Sequence, residues 1–383
     1  MRILFTSTSG AGHLQPLLPY ARALVQRGHD VRVAAPISVA ATLEKAGLMH
    51  VVLDNPDGDT VKEVMGRMDA ASADAAMPIA IQEIFYGIQA RTVLPGVLAA
   101  IRDWRPDLVV REASEPAGAI AAEVAGIHHA RVDVHNPHVE AMFIRLGAGP
   151  VDALRVLAGL PEDGGDALRA EPVFTAFPQA LDSTSPPTPP FRVRTEAPSG
   201  ARPSAADIPF IYITLGTIAG RLPKSKAAFR TALAAVADLP VTALLTTGPV
   251  MPIADLGLIP ANVRVETFVP QAEVLPKSNA VLCHGGSGTV LGALAAGVPM
   301  VVTPLFADQP ANARSVEASG AGIAVIDGTA DAVREALQKV LSDPTYRSKA
   351  RQIAAEIAAL PSIDEAADAL LAMAGAGCQP LAI

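Results

Sequence analysis

A chain of 383 residues, half of them hydrophobic, can bury more than one core, which favours two domains over one. The net charge is −8 and no basic run occurs, which argues against nucleic acid as a partner. The only two cysteines, Cys283 and Cys378, lie far apart in sequence, so a disulfide framework is excluded and a reducing cytoplasm fits.

The first half of the chain alternates short apolar runs with segments of helical periodicity. The apolar runs predict strands at 2–5, 30–35, 50–53, 106–112 and 129–134. The periodic segments predict helices at 14–27, 37–46, 88–104 and 116–125. Alternation at this spacing predicts a parallel, doubly wound sheet, whose ligands bind at the carboxyl ends of its strands.

Two stretches of the first half, 54–87 and 135–175, lack a clear period and are long for structureless connections. The second stretch begins with polar and aromatic residues, among them His135 and Phe143. We expect both stretches to be irregular and to carry a binding pocket. Asp57-Gly-Asp59 in the first stretch resembles a two-carboxylate metal site, but this spacing is more typical of a surface turn.

Proline density between 183 and 209 predicts extended backbone and a linker at 191–208. The linker would separate a domain at 1–190 from a second domain at 209–360. The second domain repeats the alternation, with strands expected at 210–215, 241–246, 262–265, 280–283, 300–303 and 322–326. Helices are expected at 224–237, 271–276, 289–296, 309–319, 330–341, 345–359 and 363–373. The predicted fold class is α/β, with two Rossmann-like domains facing across a cleft.

A glycine-rich turn follows the apolar run 280–283 and precedes the helix predicted at 289–296. The backbone amides of 285–289 should therefore lie at a helix N-terminus, where N–H groups and the helix dipole attract anions. His284 adds a side-chain donor at the same point. The pattern predicts a phosphate or diphosphate site; the alternative is an ordinary turn in which the glycines serve only the backbone.

A second glycine turn, Gly10-Ala-Gly12-His13, follows the first predicted strand. It is an incomplete dinucleotide fingerprint, because Gln15 stands where the third glycine is expected, so a nicotinamide enzyme is weakly supported. Histidine is the most frequent general base near neutral pH, and His13 lies at the mouth of a strand. The alternative is that His13 caps the helix that begins near Leu14.

Taken together, these motifs resemble those of inverting, nucleotide-sugar-dependent glycosyltransferases of the two-Rossmann (GT-B) architecture, in particular actinobacterial antibiotic glycosyltransferases. The resemblance covers nearly the whole chain. Its anchors are Gly10-Ala-Gly-His13, Leu215-Gly-Thr217, Phe268-Val-Pro-Gln271, His284-Gly-Gly-Ser-Gly-Thr289 and Asp308-Gln309. It implies that the terminal segment 361–383 forms a helix that crosses back onto the first domain.

The resemblance implies a role for individual residues. His13 matches the base that deprotonates the acceptor hydroxyl. The diphosphate of the donor would be bound by His284, Gly286, Ser287, Gly288 and Thr289, with further contacts from Gly216 and Thr217. Phe268 stands where many members stack a tryptophan on the pyrimidine. Val269 and Gln271 would contact the base and the ribose. Asp308 and Gln309 would contact the sugar hydroxyls. For Asp308 the alternative is a helix N-cap, with Pro310 at the first helical position.

The sequence departs from the family at the carboxylate that orients the base. Plant relatives have an aspartate at the end of the 107–112 strand, where this chain has Arg111 and Glu112. Glu112 can do the same work, because a carboxylate bonded to one ring nitrogen fixes the tautomer. A surface ion pair between Glu112 and Arg111 is the alternative, and Asp133 is a second candidate for the role.

The resemblance implies a pyrimidine nucleotide donor (dTDP or UDP) carrying a hexose or deoxyhexose, a small apolar natural-product acceptor, and no metal ion or other cofactor. A nucleotide-sugar epimerase of the same architecture and a non-catalytic helper protein remain as rival classes. We expect no nucleic acid partner and a cytoplasmic location. We also expect no membrane span, because prolines and glycines interrupt 288–307, the longest uncharged stretch. The oligomeric state is open, a homodimer included.

Overall fold

The computed structural model describes residues 1–71, 73–184, 189–198, 200, 208–216, 225–326 and 328–375, and the account below concerns these residues. The chain divides into two compact units. Unit 1 comprises Met1–Thr175, Thr184–Val193 and Pro361–Ile383, and unit 2 comprises Ala176–Ser183 and Arg194–Leu360.

Unit 1 is built on a parallel sheet of seven strands in the order β3-β2-β1-β4-β5-β6-β7. The strands are β1 Arg2–Thr6, β2 Asp30–Pro36, β3 Met49–Leu53, β4 Leu108–Glu112, β5 His128–Val132, β6 Val173–Thr175 and β7 Phe191–Arg192. The helices are α1 Ala11–Leu14, α2 Leu18–Gln26, α3 Ala40–Ala46, α4 Gly58–Ala70, α5 Ala73–Ile79, α6 Ala90–Trp104, α7 Ala117–Ala125, α8 Pro137–Leu157 and α9 Asp166–Ala170. A π-helical segment, Ala80–Gln89, joins α5 to α6.

Unit 2 repeats the plan with six parallel strands in the order β10-β9-β8-β11-β12-β13. The strands are β8 Phe210–Thr214, β9 Thr242–Thr246, β10 Val263–Glu266, β11 Ala280–Cys283, β12 Met300–Val302 and β13 Gly322–Ala324. The helices are α10 Ser225–Val236, α11 Gln271–Val274, α12 Ser287–Ala295, α13 Gln309–Ala318, α14 Ala330–Ser342 and α15 Pro344–Ala359. The predicted α/β class with two Rossmann-like domains is confirmed.

The strand order places a topological switch point in each sheet, because the chain moves outward in opposite directions from the two central strands. The central pair is β1 and β4 in unit 1 and β8 and β11 in unit 2. Central strands are apolar on both faces because helices cover both: Ile3, Leu4 and Phe5 of β1 are fully buried. Ligands of such sheets bind beyond the carboxyl ends of the central strands.

The prediction of irregular structure at 54–87 and 135–175 is wrong, since both stretches are largely helical. Within α8, Gly147 packs against the ring of Tyr86, and a Cβ at this glycine would lie 2.2 Å from that ring. The glycine therefore allows close helix packing instead of ending the helix. Pro150 also lies inside α8, and the helix continues through it although proline has no backbone N–H to donate.

The unit boundaries differ from the predicted domain boundaries in two places. Phe191 and Arg192 form edge strand β7 of unit 1, where the linker was expected to begin. Residues 176–183 belong to unit 2, because Phe177 and Leu181 are buried in its core. The last helix, α16 (Ile363–Gly375), belongs to unit 1 and buries Ala366, Ala367 and Leu370 in the core that includes α2.

One helical stretch of the described chain, Ala75–Trp104, is long and apolar enough to cross a membrane by length and composition. It differs from 288–307, the longest uncharged stretch of the sequence. Here the stretch packs within unit 1: α6 lies against α7 and β3, and Val93, Val97 and Ile101 are buried. Core helices of globular proteins often pass the same test of length and composition.

A buried ion cluster links β4 and β5 to the segment before β6. Arg111 is fully buried and forms a two-pronged ion pair with Glu171, with Nε 3.0 Å from Oε2. Its guanidinium also donates to the backbone carbonyls of Glu112 and Ala113. Arg131 donates to Glu171 and to Asp133. Arg111 thus holds the backbone at the carboxyl end of β4, and the predicted alternative of a surface ion pair between Arg111 and Glu112 is wrong.

We predict that Arg111→Leu lowers the free energy of unfolding of unit 1 by about 3–5 kcal/mol, because it leaves Glu171 buried without its main partner. Urea unfolding followed by the fluorescence of Trp104, the single tryptophan, reports on this unit. Arg102→Leu is the matched control, since its partner Asp103 is solvent-exposed and the urea midpoint should stay near that of the wild type. Equal midpoints for the two variants would contradict the structural role of Arg111.

Candidate functional site

The turn after β1 carries His13 into the switch point of unit 1. Gly10 has φ +112°, a conformation that side-chain-bearing residues rarely adopt, and it redirects the chain into the short helix α1. Leu14 anchors that helix in the core with 1% of its surface exposed. His13 lies inside α1, whose N-cap is Gly10, so the alternative of His13 as a capping residue is wrong.

Glu112 lies at the end of β4 directly opposite this turn. Its side chain is fully buried, and Oε2 is 3.3 Å from His13 Nδ1. Oε1 accepts from Thr8 Oγ1 at 2.8 Å and Thr8 N at 3.3 Å, and Oε2 accepts from Ser114 N at 2.7 Å. The structure therefore brings together His13 and the carboxylate that the sequence analysis paired with it.

These contacts keep Glu112 ionised. Burial by itself would raise the pKa of the carboxyl, but His13, the Ser114 amide and Thr8 outweigh burial and lower the pKa to about 2. An ionised carboxylate that accepts from Nδ1 holds the ring in the tautomer whose lone pair is on Nε2. Thr8 and Ser114 were not singled out from the sequence, where nothing distinguishes them from other small polar residues.

Asp133, the second candidate for this role, is engaged elsewhere. Its carboxylate accepts from Arg131 Nε at 2.8 Å. Burial raises its pKa to about 7 although Arg131 opposes the change. Among the described contacts of His13, the carboxylate partner is Glu112.

Aromatic rings surround His13. The ring of Phe85 lies 5.3 Å from it and that of His135 lies 5.6 Å from it, measured between ring centroids. Phe143 stacks on His135 at 4.9 Å and is itself buried. Phe85 comes from the π-helical segment and Phe143 from α8, so the two stretches expected to be irregular do contribute side chains beside His13.

In unit 2 the ring of His284 sits at the corresponding place, directly after β11. A Cβ on Gly216 would lie 2.6 Å from His284 Nε2, and a Cβ on Gly286 would lie 2.5 Å from it. The ring is thus enclosed by two glycines, one after β8 and one at the start of α12. Gly216 also has φ +79°, which favours glycine independently of space.

Burial lowers the pKa of His284 to about 4, against the opposing effects of the Asp308 charge and the Thr214 carbonyl. His284 is 8% exposed, and Nδ1 makes no hydrogen bond of normal geometry with the described residues. The ring is therefore neutral at pH 7 in the free protein. As a neutral ring it can donate from one nitrogen, which is a weaker donor than the charged ring would be.

A hydrogen-bond network fixes the turn after His284. Asp308 Oδ2 accepts from Ser287 Oγ at 2.8 Å and from Asn312 Nδ2 at 3.0 Å. Asn312 Nδ2 also lies 2.8 Å from the carbonyl of Gly285. Asn312 was missed in the sequence; its position four residues after Asp308 on a helix was the signal that could have found it. Asp308 does occupy the N-cap position of α13, with Pro310 in the first turn, but its side chain makes no cap hydrogen bond to the helix.

Gln309 is turned inward more than the sequence suggested. It is 3% exposed, and its Oε1 accepts from the backbone amides of Leu305 at 2.8 Å and Phe306 at 3.1 Å. Between them and Asp308, Ala307 has φ +55°, which is unusual for a residue with a side chain. Through Oε1, Gln309 therefore stabilises the loop between β12 and α13.

The other predicted donor-site residues are placed as follows. Phe268 is 67% exposed on the loop after β10, Val269 is packed against the core, and Gln271 Nε2 donates to Thr289 Oγ1 at 3.0 Å. Ser287, Gly288 and Thr289 form the first turn of α12, but the Thr289 amide already donates to the Gly286 carbonyl. The amides of Ser287 and Gly288 are thus the better placed for an anion. Thr217 lies outside the described residues.

The Asp57-Gly-Asp59 segment has a structural explanation. Asp57 Oδ2 accepts from Thr60 N at 2.8 Å and Thr60 Oγ1 at 2.7 Å, so Asp57 is the N-cap of α4. Its pKa is lowered mainly by these hydrogen bonds. Within the described ranges, no group of three or more His, Cys, Asp or Glu side chains is arranged to hold a metal ion.

Comparison with known families identifies both units. The profile of the erythromycin biosynthesis protein CIII-like N-terminal domain matches residues 22–143, and that of the C-terminal domain matches residues 230–373. The elloramycin glycosyltransferase of Streptomyces olivaceus is 32% identical over 94% of this chain and 94% of its own length. The L-demethylnoviosyl transferase of Streptomyces niveus is 33% identical over 97% of this chain and 98% of its own.

Solved structures show the same architecture. The glycosyltransferase VinC, crystallised in complex with dTDP, superimposes with a TM-score of 0.78 and is 25% identical in sequence. The match covers 98% of this chain and 100% of VinC. Two domains in the same order along nearly the full length are thus shared with a protein whose structure contains a nucleotide diphosphate.

We predict that acid destabilises the protein through His284. Its pKa is about 4 in the folded chain and 6.5 in the unfolded chain, so between these values the unfolded state binds more protons. The stabilising contribution of the neutral ring is complete above pH 6.5 and is lost as the pH falls to 4. The shift corresponds to about 3 kcal/mol.

When the pH falls from 6.5 to 4, the free energy of unfolding should therefore decrease by about 3 kcal/mol less in His284→Gln than in the wild type. Calorimetric unfolding of both proteins at a series of pH values measures the difference. Parallel pH profiles of the two proteins would show that His284 is not held neutral by burial.

Proposed function

Because the chain belongs to the erythromycin biosynthesis protein CIII-like family, whose N-terminal and C-terminal domain profiles both match it, we propose that it transfers a sugar from a nucleoside diphosphate donor to a natural-product hydroxyl with inversion. The observation that carries the proposal is the hydrogen-bonded pair of His13 and Glu112 at the switch point of unit 1. The donor is a dTDP- or UDP-linked hexose or deoxyhexose, in line with relatives named for elloramycin and for L-demethylnoviose transfer.

His13 acts as the base in this proposal. Glu112, ionised with a pKa near 2, holds Nδ1 protonated and leaves the Nε2 lone pair to take the acceptor proton. As that O–H bond breaks, the oxygen attacks the anomeric carbon, and the bond from this carbon to the diphosphate breaks on the opposite side. A single displacement of this kind inverts the configuration, and Glu112 stabilises the imidazolium that forms.

The departing diphosphate is bound in unit 2. The amides of Ser287 and Gly288 at the N-terminus of α12, with the ring of His284, supply donors where negative charge develops. An anion beside His284 favours its protonated form and offsets the burial that otherwise keeps the ring neutral. These groups do the work of a metal ion, so we propose that the reaction needs no metal.

The remaining donor contacts follow from exposure. Phe268, solvent-exposed in the free chain, is available to stack on the pyrimidine. Asp308 and Gln309 bind sugar hydroxyls. Asp308 does so through its other carboxylate oxygen, Oδ1, and Gln309 through its amide nitrogen, because Oδ2 and Oε1 are engaged within the protein.

A nucleotide-sugar epimerase is not favoured, because it has no need of a base beside an aromatic acceptor site. The buried free thiol of Cys283 is compatible with the cytoplasmic location that we propose.

We predict that His13→Ala lowers kcat by about 10²–10⁴-fold and leaves the Kd for the nucleoside diphosphate unchanged. Glu112→Gln should also lower kcat, and the double variant should be no slower than His13→Ala, because the two residues act as one unit. Release of nucleoside diphosphate in the presence of acceptor measures the rates. Glu123→Gln, whose partner is Arg155, is the control. Additive losses in the double variant would contradict the pairing.

We predict that Gly286→Ala weakens binding of dTDP or UDP by about 10–150-fold, the cost of one hydrogen bond to a charged group. The added Cβ would lie 2.5 Å from His284 Nε2 and must displace the ring. Gly292→Ala on the same helix is the control, since its Cβ would lie 3.3 Å from Leu275 and 3.6 Å from Gln271 Oε1 and does not reach His284. Titration calorimetry measures both, and equal affinities would place the diphosphate away from His284.

We predict that transfer survives EDTA, because the proposed site neutralises the leaving group with amides and imidazole instead of a metal ion. The rate of nucleoside diphosphate release is measured before and after chelation. A loss of rate that magnesium or manganese restores would contradict this part of the proposal.

A further inference from the structure

A cavity in unit 1 lies between the turn after β1, the π-helical segment and α6. The empty space among its lining residues, including the part that is open to solvent, is about 310 Å³. Phe85 lines the cavity and also contacts the ring of His13, and Thr8 lines it and also bonds to Glu112. The cavity therefore adjoins the pair of His13 and Glu112, and its size suits one group of a ligand instead of a whole aglycone.

Glu115 is the charged residue that lines this cavity, and one of its oxygens lacks a partner. The residue is 1% exposed, and Oε2 accepts from the Thr6 hydroxyl and, at 3.0 Å, from the Gly118 amide in the first turn of α7. The bond to Gly118 satisfies a free amide at the start of α7, so helix capping accounts for Oε2. Oε1 is buried and makes no hydrogen bond with the described residues. One oxygen of a buried carboxylate is thus left for a ligand.

A second unpartnered acceptor lines the same cavity. Gln89 is the last residue of the π-helical segment, and its Oε1 is also buried without a hydrogen bond to the described part of the chain. The hydroxyls of Ser7 and Thr8, which line the cavity as well, already donate to the Thr8 carbonyl and to Glu112 Oε1, respectively. Ser9 is exposed to solvent. The buried lining thus offers two acceptors, while the hydroxyl hydrogens of Ser7 and Thr8 are engaged within the protein.

The Glu115 carboxylate has a cation in its surroundings but no cation bonded to it. The guanidinium of Arg111 donates to Glu171 and to backbone carbonyls, that of Glu115 among them. Burial raises the pKa of Glu115, the Glu112 charge acts in the same direction, and the Arg111 charge opposes them. A ligand that brought positive charge into the cavity would favour the ionised carboxylate.

The two unpartnered oxygens define the chemistry of the group that fits. A hydroxyl has one hydrogen to donate and can satisfy only one of them. A water molecule can donate to both but leaves the charge of the carboxylate uncompensated. A protonated amine donates up to three hydrogen bonds and carries the opposite charge, and charge-assisted hydrogen bonds are roughly twice as strong as neutral ones.

We propose that this cavity binds a protonated amino group of the acceptor, with Glu115 as its counter-ion and Gln89 as its second hydrogen-bond acceptor. The inference rests on the proposed function, which places the reacting hydroxyl at His13. Glu115 takes no proton from that hydroxyl, and its effect is on which acceptors bind. The site selects acceptors that carry an amine beside an apolar body, because Phe85 and Val93 form an apolar wall of the same cavity.

The test compares two small phenols, tyramine and tyrosol. They share the same skeleton, but the side chain of tyramine ends in an amine that is protonated near neutral pH, and that of tyrosol ends in a hydroxyl. Titration calorimetry near neutral pH gives the Kd of each for the full chain without a sugar donor. The wild type should bind tyramine about 10-fold or more tightly than tyrosol, as expected for hydrogen bonds to a charged group.

Three variants identify the group that selects the amine. Glu115→Gln can still accept from Thr6 and Gly118 through its amide oxygen but removes the charge, so the ratio of the two Kd values should fall to about one. Gln89→Leu removes the second acceptor from a half-buried residue and should reduce the ratio. Glu83→Gln is the matched control, because it removes a negative charge from a surface ion pair on the same π-helical segment, and the ratio should stay as in the wild type.

Three results would overturn the inference: a wild-type ratio near one, as a tightly held water in the cavity would give, no binding of either phenol, or a Glu115→Gln variant with the wild-type ratio. A merely structural role of Glu115 gives the last of these, because it would weaken both phenols equally. If Glu115→Gln does not fold, an unchanged ratio in Gln89→Leu overturns the inference instead.

The titrations contain no sugar donor, so their outcome does not depend on catalysis. The proposed function is tested separately, by the release of nucleoside diphosphate in the wild type and in His13→Ala. A preference for tyramine in a protein that releases no nucleoside diphosphate with any acceptor would contradict the proposed function and leave the Glu115 site standing. Release that depends on His13, without any preference for tyramine, would overturn the present inference alone.

Discussion

The buried carboxylate of Glu112 is the contact on which the account of unit 1 depends. It accepts hydrogen bonds from the Thr8 hydroxyl, the Thr8 and Ser114 amides and the His13 ring, which tie the turn after β1 to the end of β4. These bonds are possible because β1 and β4 are paired in parallel, with Thr6 opposite Arg111. The strand register thus sets the position of His13, and Arg111 holds the backbone at the end of β4 in place.

The two units use one plan for opposite electrostatic purposes. Each places a histidine beyond the carboxyl end of a central strand, where two crossovers diverge. In unit 1 the partner of His13 is an ionised carboxylate, which suits the role of base that we propose for this histidine. In unit 2 burial keeps His284 neutral, with a pKa near 4, until an anion offsets the cost of its charge. The two histidines occupy the same topological position, and their different neighbours give their rings different electrostatic environments.

Local patterns predicted most of the strands and the glycine turns, because a buried parallel strand requires a run of apolar residues and a positive φ favours glycine. The run 280–283 became β11 as expected, and Gly10 and Gly216 adopt conformations that favour glycine. Side-chain partners were harder to predict. Glu112 was paired with His13 through the family resemblance, which implies an orienting carboxylate at the end of this strand.

Other residues depend on contacts that a single sequence does not reveal. Helix α8 was not predicted, and its Gly147 packs closely against Tyr86, a contact that the sequence alone does not show. Asp308 and Gln309 were both expected to contact sugar hydroxyls, with a helix N-cap as the alternative for Asp308. In the structure the amide oxygen of Gln309 holds the loop before α13, and Asp308 bonds to Ser287 and Asn312. The contacts of Gly147 with Tyr86 and of Asp308 with Ser287 join residues that are distant in sequence, whereas those of Gln309 depend on the path of the loop before α13.

The most direct test of the central claim is the proton position on His13. In the free protein, ¹⁵N NMR of labelled histidine distinguishes a protonated from an unprotonated ring nitrogen, and His13→Ala identifies the signal. The account predicts a proton on Nδ1, bonded to Glu112, and a lone pair on Nε2. A proton on Nε2 would mean that Glu112 does not orient the ring and that His13 cannot accept the acceptor proton as described.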